Sequence, residues 1–174
     1  MILSQLARAV KELKIPFIAS GGIADGRGFA AALALGATVN SSYGVPPSTF
    51  FYSPIHQNIK ETIVASSETD TIHIFRTLRN TARVFKNKVA SEVVNIERRP
   101  GGAKFEDVRE LVSGARGRKV YEIGDPDLGI WSAGVAVGLI TDIPTCKELL
   151  DRLEREVEEI IGQMNSIVQS KSKL

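Results

Sequence analysis

Four residues near the start of the chain, Ser20-Gly21-Gly22-Ile23, have the types and the position of a phosphate-binding turn. They follow a dense apolar run, residues 15–19, which is typical of a strand buried on both faces, and they precede a helical pattern. In α/β folds this junction binds phosphorylated ligands, because glycine lets backbone N–H groups reach phosphate oxygens near the positive end of the next helix. The turn alone is equally compatible with an ordinary strand-to-helix connection.

The residues around this turn do not match the known nucleotide-binding motifs. No Gly-x-Gly-x-x-Gly follows the apolar run, and no Gly-Lys-Ser/Thr is present. No acidic residue lies about 20 positions further on to bind a ribose. A phosphate bound here would therefore belong to a barrel-type site.

Composition narrows the class of protein. The chain has 174 residues, 43% of them hydrophobic and 24% charged, which is enough to form a buried core. Its formal charge of +2 gives no concentrated positive field, so we expect no nucleic-acid partner. Its longest apolar stretch, residues 130–140, is shorter than the ~20 residues of a membrane span. With no secretion signal and a single cysteine, Cys146, the expectation is a cytoplasmic protein without a membrane partner.

The elements that would position the turn alternate in the order expected of α/β proteins, namely helix, buried strand, Gly-rich turn and helix. Asp25 is placed to cap a helix from Gly26, and Gly36 to end it in a left-handed turn. Further along, the periodicity predicts helices beginning at Ser53, around residues 89–96 and from 105 to 112, with a strand at 72–75. It also predicts an apolar helix opened by Asp125-Pro126-Asp127, and a long amphipathic helix with a polar tail after Ser166. That last helix would bury Leu149, Leu153, Val157, Ile160 and Met164.

The amino-acid sequence around the turn resembles that of a known protein family. Residues 15–37, and above all Gly21-Gly22-Ile23-Ala24-Asp25-Gly26-Arg27-Gly28, closely resemble the FMN-phosphate segment of nitronate monooxygenases, formerly called 2-nitropropane dioxygenases. The flavin-dependent enoyl-ACP reductase is a close relative with a similar segment. The resemblance continues through residues 53–56, 79–84, 124–126 and 131–134 and ends near residues 142–144, and it covers nearly the whole chain apart from residues 38–52.

The resemblance implies the C-terminal part of a (β/α)8 TIM-type barrel with a mostly helical covering segment. It implies an FMN-dependent oxidoreductase that converts alkyl nitronates and O2 into a carbonyl compound and nitrite. Backbone amides of Gly21, Gly22 and Ile23, next to Ser20, would bind the FMN phosphate, and Gly44 is the plausible counterpart of a glycine in the family's strand-eight motif. Residues 1–52 would hold strands seven and eight, 53–116 would cover the substrate, and 117–174 would return to the barrel and end in the polar tail.

Two departures from the family pattern limit this assignment. The family's catalytic histidine lies on earlier strands that this chain does not contain, so the chain looks truncated and no catalytic residue is assigned. Neither His56 nor His73 matches that catalytic position, and each is expected to be a surface or structural histidine. Residues 38–52 lack the family's strand-eight wording, which suggests a reading-frame slip or an ordinary variable loop.

Three functions stay open at this point: the monooxygenase, an enoyl-ACP reductase using NAD(P)H, and a noncatalytic fragment.

Other candidate residues have ordinary structural interpretations. Arg76, Arg79 and Arg83 fall at helical spacing and could attract an anion, although a solvated surface is favoured. Cys146 is expected to be buried as a small apolar residue, and Trp131 is expected to lie in the core. No metal site is expected, because the acidic residues at positions 154, 156, 158 and 159 lie among arginines, as on a solvent-facing surface.

Overall fold

A computed structural model describes Arg8, residues 11–13, Ala19, residues 22–37 and residues 55–171 of the chain, with side chains up to residue 169. Its described part is rich in helix and contains a two-stranded antiparallel sheet. The elements in chain order are α1 (Gly26–Ala34), α2 (Gln57–Val64), β1 (Thr71–Ile74), β2 (Ala82–Phe85), α3 (Lys88–Glu97), α4 (Phe105–Val108), α5 (Gly114–Ile123) and α6 (Cys146–Lys171). Short 3-10 segments occur at Glu68–Asp70 and Val135–Leu139. Among these helices, none has the length and apolar character that crossing a bilayer requires.

The chain divides into two compact units. One contains residues 1–52 and 144–174, and the other contains residues 53–143. Most of the predicted strand seven (residues 15–18) and the aberrant segment 38–52 lie outside the described residues. The assignment of 1–52, 53–116 and 117–174 to barrel, cover and barrel therefore stays a prediction.

In the first unit, α1 packs against α6. Helix α1 begins at the predicted Asp25 cap and ends as predicted, because Gly36 adopts a positive φ of 89°. The amides of Gly36 and Ala37 then donate to the carbonyls of Leu33 and Ala32 at 2.8 and 3.0 Å, which satisfies the last turn. Helix α6 buries Leu149, Leu153 and Val157, as the apolar spacing predicts.

The far end of α6 differs from the prediction. Met164 is 51% exposed, so the buried stripe does not reach it. Residues 167–171 continue the helix, so the predicted frayed tail does not begin after Ser166. A charged helix of 26 residues can be propagated by its good helix formers alone after the packed part ends.

The second unit is built on the β1–β2 ribbon and α3. The strands pair with Thr71 opposite Phe85 and Ile74 opposite Ala82, and α3 packs on β1. The core includes Ile74, Val84, Val93 and Val108, and a second cluster contains Ile59, Val120 and Trp131. The predicted strand at 72–75 and helix at 89–96 are confirmed within one residue at each end.

The predicted apolar helix after Asp125 is wrong. Residues 124–134 are irregular, and a five-residue 3-10 segment follows at Val135–Leu139. The reason is that residues elsewhere in the unit form hydrogen bonds with the backbone of this segment. The Asn87 side chain donates to the carbonyls of Pro126 and Gly129 at 2.5 and 2.7 Å. The amide of Phe85 likewise donates to the Trp131 carbonyl at 3.0 Å, so that tertiary partners replace helical ones.

Candidate functional site

Of the predicted phosphate turn the structure describes Gly22, which is exposed, and Ile23, which is half-buried. Gly22 is exposed with a φ of +76°, and a Cβ placed on it would meet no atom within 4 Å. Ala19, at the end of the apolar run, is 3% exposed. Among the described residues, a buried Ala19 is therefore followed within three positions by an exposed Gly22. Ser20, Gly21 and Gly44 lie outside the described residues.

Asp25 fixes the helix that follows the turn. Its side chain accepts hydrogen bonds from the amides of Arg27 at 3.0 Å and Gly28 at 3.1 Å. Burial alone would raise the pKa of the Asp25 carboxyl, but the Arg27 guanidinium and these two amides outweigh it and lower the pKa below its usual value. The cap is therefore a carboxylate at neutral pH.

A second carboxylate occupies the same helix end. Glu156 of α6 accepts a hydrogen bond from the amide of Gly26 at 2.7 Å, and Gly26 is buried against it. Gly26, Arg27 and Gly28 thus all donate to side-chain carboxylates. The expected contribution of the helix dipole to a phosphate is consequently offset by two negative charges, and phosphate binding would fall to the amides before Asp25.

The two described amides of the turn, those of Gly22 and Ile23, fit a role as donors to the phosphate of a flavin mononucleotide. Among the described residues, none accepts a hydrogen bond from the amides of Gly22 or Ile23. The space beside Gly22 is open. Backbone N–H groups in this arrangement are the donors that phosphate oxygens accept from.

Comparison with known proteins decides the family. A profile of the nitronate monooxygenase family matches residues 1–156 of the 174. The chain belongs to the nitronate monooxygenase family. It is 31% identical to probable nitronate monooxygenases of Staphylococcus aureus strains MSSA476 and Newman, over 97% of this chain and 44% of theirs. The chain thus spans less than half the length of these relatives.

The solved structure of FabK from Thermotoga maritima is similar as well. It matches 95% of this chain and 51% of its own length, with a TM-score of 0.81 and 29% identity. The resemblance read from the Gly21–Gly28 wording is confirmed at the level of the family, whose members are oxidoreductases.

The two histidines of this family member are placed differently. His56 caps α2, because its Nδ1 accepts a hydrogen bond from the Asn58 amide at 3.2 Å. Its ring also lies against Gly124, where a Cβ would collide with it, and Gly124 has a φ of +82°. His73 is half-buried on β1. His56 is therefore a structural residue, as expected.

The predicted helical row of arginines is wrong. Arg76 and Arg79 lie in the turn between the strands, and Arg83 lies on β2 opposite His73. The spacing fits a helix, but pairing with β1 imposes an extended conformation on residues 82–85. Arg76 and Arg83 nevertheless line one cleft together with Arg98, a residue that the sequence analysis did not single out.

Three other candidates are settled by their surroundings. Trp131 is 3% exposed and stacks on Phe85 with ring centroids 4.3 Å apart, so it is a core residue as predicted. Cys146 is exposed as the first residue of α6, and its expected burial is wrong. Glu156 is half-buried and differs from the solvent-facing row it was assigned to. The part of the chain that the structure describes contains no group of three or more His, Cys, Asp or Glu suited to a metal ion.

Proposed function

We propose that this chain is the C-terminal part of an FMN-dependent nitronate monooxygenase and that its first unit binds the FMN phosphate. The proposed ligands are the backbone amides of Gly21, Gly22 and Ile23, with Ser20 beside them and Gly44 completing the site from strand eight. The observation that carries the proposal is the exposed turn at Gly22, with positive φ and open space beside it, in the segment whose wording matches the family. The fold proposed around it is a (β/α)8 barrel.

The residues of this chain would bind and orient the cofactor. When bound, FMN supplies the redox chemistry by which an alkyl nitronate and O2 give a carbonyl compound and nitrite. Asp25 and Arg27 keep α1 in place, because the carboxylate caps the helix and the guanidinium Nε donates to it at 2.9 Å. Neither is proposed to move a proton in the reaction. The general base is proposed to come from the part of the family fold that precedes residue 1.

A flavin-dependent enoyl-ACP reductase is the second candidate, and the likeness to FabK favours it. Such an enzyme would oxidise NAD(P)H and reduce the double bond of an acyl-carrier thioester. The phosphate turn serves both candidates equally, because it binds the cofactor and not the substrate.

The two candidates differ in the electron donor, and that difference is the test. The longest polypeptide encoded by the reading frame that contains this chain is purified with FMN and assayed in two ways. Oxygen uptake and nitrite release with propane 2-nitronate, without NADH, are the expected result. NADH oxidation that depends on a trans-2-enoyl thioester, with no nitrite from the nitronate, would replace the first candidate by the second. Activity in neither assay would contradict both.

A further inference from the structure

A cleft in the second unit collects positive charge from three separate elements. It has a volume of about 420 Å³ and is bordered by β1, β2 and the end of α3. Arg76 enters it from the turn after β1, Arg83 from β2 and Arg98 from the C-terminal cap of α3. We call this cleft, with these three side chains, the arginine cleft. Convergence from three elements distinguishes it from a row of charges along one solvated helix face.

The three arginines outnumber the one carboxylate, Glu97, that lines the arginine cleft with them. In the described parts of the chain, no carboxylate forms an ion pair with Arg76, Arg83 or Arg98. Arg83 donates from Nη1 to the Thr71 hydroxyl at 2.8 Å, which orients its guanidinium and uses one of five donors.

The acidic residue that lines the cleft, Glu97, is committed to the backbone. It is 6% exposed, and its Oε2 accepts from the amide of Phe75 at 2.8 Å. Its Oε1 accepts from the amide and the hydroxyl of Thr77 at 3.2 and 2.9 Å. Glu97 therefore positions the turn that carries Arg76. Both of its carboxylate oxygens are used by this turn, and neither forms an ion pair with an arginine of the cleft in the described part of the chain.

The same turn adopts a conformation that side chains rarely take. Phe75 and Arg79 have φ values of 62° and 55°, in the left-handed region, although neither is glycine. The bonds from Glu97 and the Asn80 amide bond to the Phe75 carbonyl, at 3.2 Å, hold this conformation. Backbone strain of this kind clusters where ligands bind, because the surrounding structure must enforce it.

We propose that the arginine cleft binds a small phosphorylated molecule through its phosphate group. A carboxylate has two oxygens and is satisfied by one guanidinium, whereas a phosphate monoester presents three terminal oxygens to several arginines at once. Thr71 and Thr77 also line the cleft, but their hydroxyls already donate to the Glu68 carbonyl and to Glu97, so the arginines are the donors left for a ligand. The cleft also exceeds what a bare ion needs and falls in the range of roughly 300–1,000 Å³ typical of small-molecule sites. The proposal uses none of the residues of the FMN turn and is independent of it.

The test is an NMR titration of the ¹⁵N-labelled 174-residue chain with glycerol 2-phosphate, and separately with inorganic phosphate, against sodium chloride at matched ionic strength. The expected result is saturable shifts of the backbone amides of Thr77, Arg83 and Arg98 with both phosphates and not with chloride. Equal shifts with chloride, or shifts spread over the surface, would overturn the proposal. If inorganic phosphate binds and glycerol 2-phosphate does not, the proposal that the ligand is a phosphorylated organic molecule is wrong.

Single variants then assign the binding to the arginines. Arg76→Gln and Arg98→Gln should each weaken glycerol 2-phosphate binding by about tenfold or more, because each removes a charged hydrogen-bond donor. Arg98→Lys keeps the charge but loses the planar fork, so its loss should be smaller than that of Arg98→Gln. Arg118→Gln removes the same charge from an exposed position on α5 and should leave the affinity within about twofold. Wild-type affinity in both glutamine variants, with their amide spectra showing a folded unit, would refute the site.

Discussion

Replacing Gly26 with alanine probes the contact that positions the proposed FMN turn. Gly26 is the first residue of α1, it is buried, and it faces Glu156 of α6. An alanine Cβ there would collide with the Glu156 Cβ, and it would lie 2.9 Å from Oε2 and 3.2 Å from the backbone carbon of the same residue. Part of this obstacle is backbone, so α1 and α6 must move apart.

The magnitude follows from three contributions. Overpacking a tight contact costs roughly 1–3 kcal/mol. Complete loss of the 2.7 Å hydrogen bond between the Gly26 amide and the Glu156 carboxylate would cost roughly 1.5–3 kcal/mol, and weakening it costs less. Alanine in place of glycine returns at most about 1 kcal/mol of helix propensity. The expected net loss in stability of the first unit is about 2 kcal/mol.

Native-state hydrogen exchange of the α1 and α6 amides measures this loss in the first unit separately from the second. Gly28→Ala is the matched control in the same helix, because the atoms nearest to its Cβ would be those of Ile23, at 3.5 Å or more, which is ordinary contact. Gly26→Ala should accelerate exchange by about one to two orders of magnitude, while Gly28→Ala should leave it unchanged or slower. Equal exchange rates in the two variants would show that the close approach at Gly26 is not as described.

Three further changes have defined outcomes. Asn87→Ala leaves the Gly129 carbonyl and the α3 cap without the Asn87 side chain that bonds them, and should cost about 2–4 kcal/mol in thermal melts followed by the fluorescence of Trp131. Asp25 has a folded pKa below the ~3.9 of an unfolded aspartate, so its contribution to stability is present above about pH 4 and is lost as the pH falls through the folded pKa. Asp25→Asn should lack this loss in α1 amide exchange measured from about pH 5 to pH 2, and an identical pH dependence would contradict the assignment. Glu97→Ala removes the acceptor of the Phe75 amide and should lower the melting temperature and expose the turn to proteolysis, whereas unchanged proteolysis would argue against its positioning role.

Local features of the fold were predictable from the sequence. The bounds of α1 follow from Asp25, which accepts from the amides of Arg27 and Gly28, and from Gly36, which adopts the left-handed turn without the strain of a side chain. The strand at Thr71–Ile74 and helix α3 have apolar periodicity that survives in the folded unit. The family itself was predictable because the glycine-rich sequence of the turn, residues 21–28, is a specific motif.

Features that depend on distant partners were not predictable. Helix α5 has a single described buried residue, Val120, so it carries no apolar stripe to detect. Strand β2 buries only Val84 and is fixed by pairing with β1. Glu156 lies 130 residues from the Gly26 amide that it binds, and nothing in its own neighbourhood separates it from the other glutamates of α6.

The phosphate turn is tested most directly by comparing FMN with riboflavin, which lacks the phosphate. Flavin fluorescence is titrated with the wild-type chain, with Gly22→Val, and with Gly101→Val as a control, since both glycines have positive φ and open surroundings. We expect FMN to bind at least about tenfold more tightly than riboflavin, an advantage lost in Gly22→Val and kept in Gly101→Val. Equal affinity for the two flavins, or an advantage that survives in Gly22→Val, would contradict the proposed role of this turn.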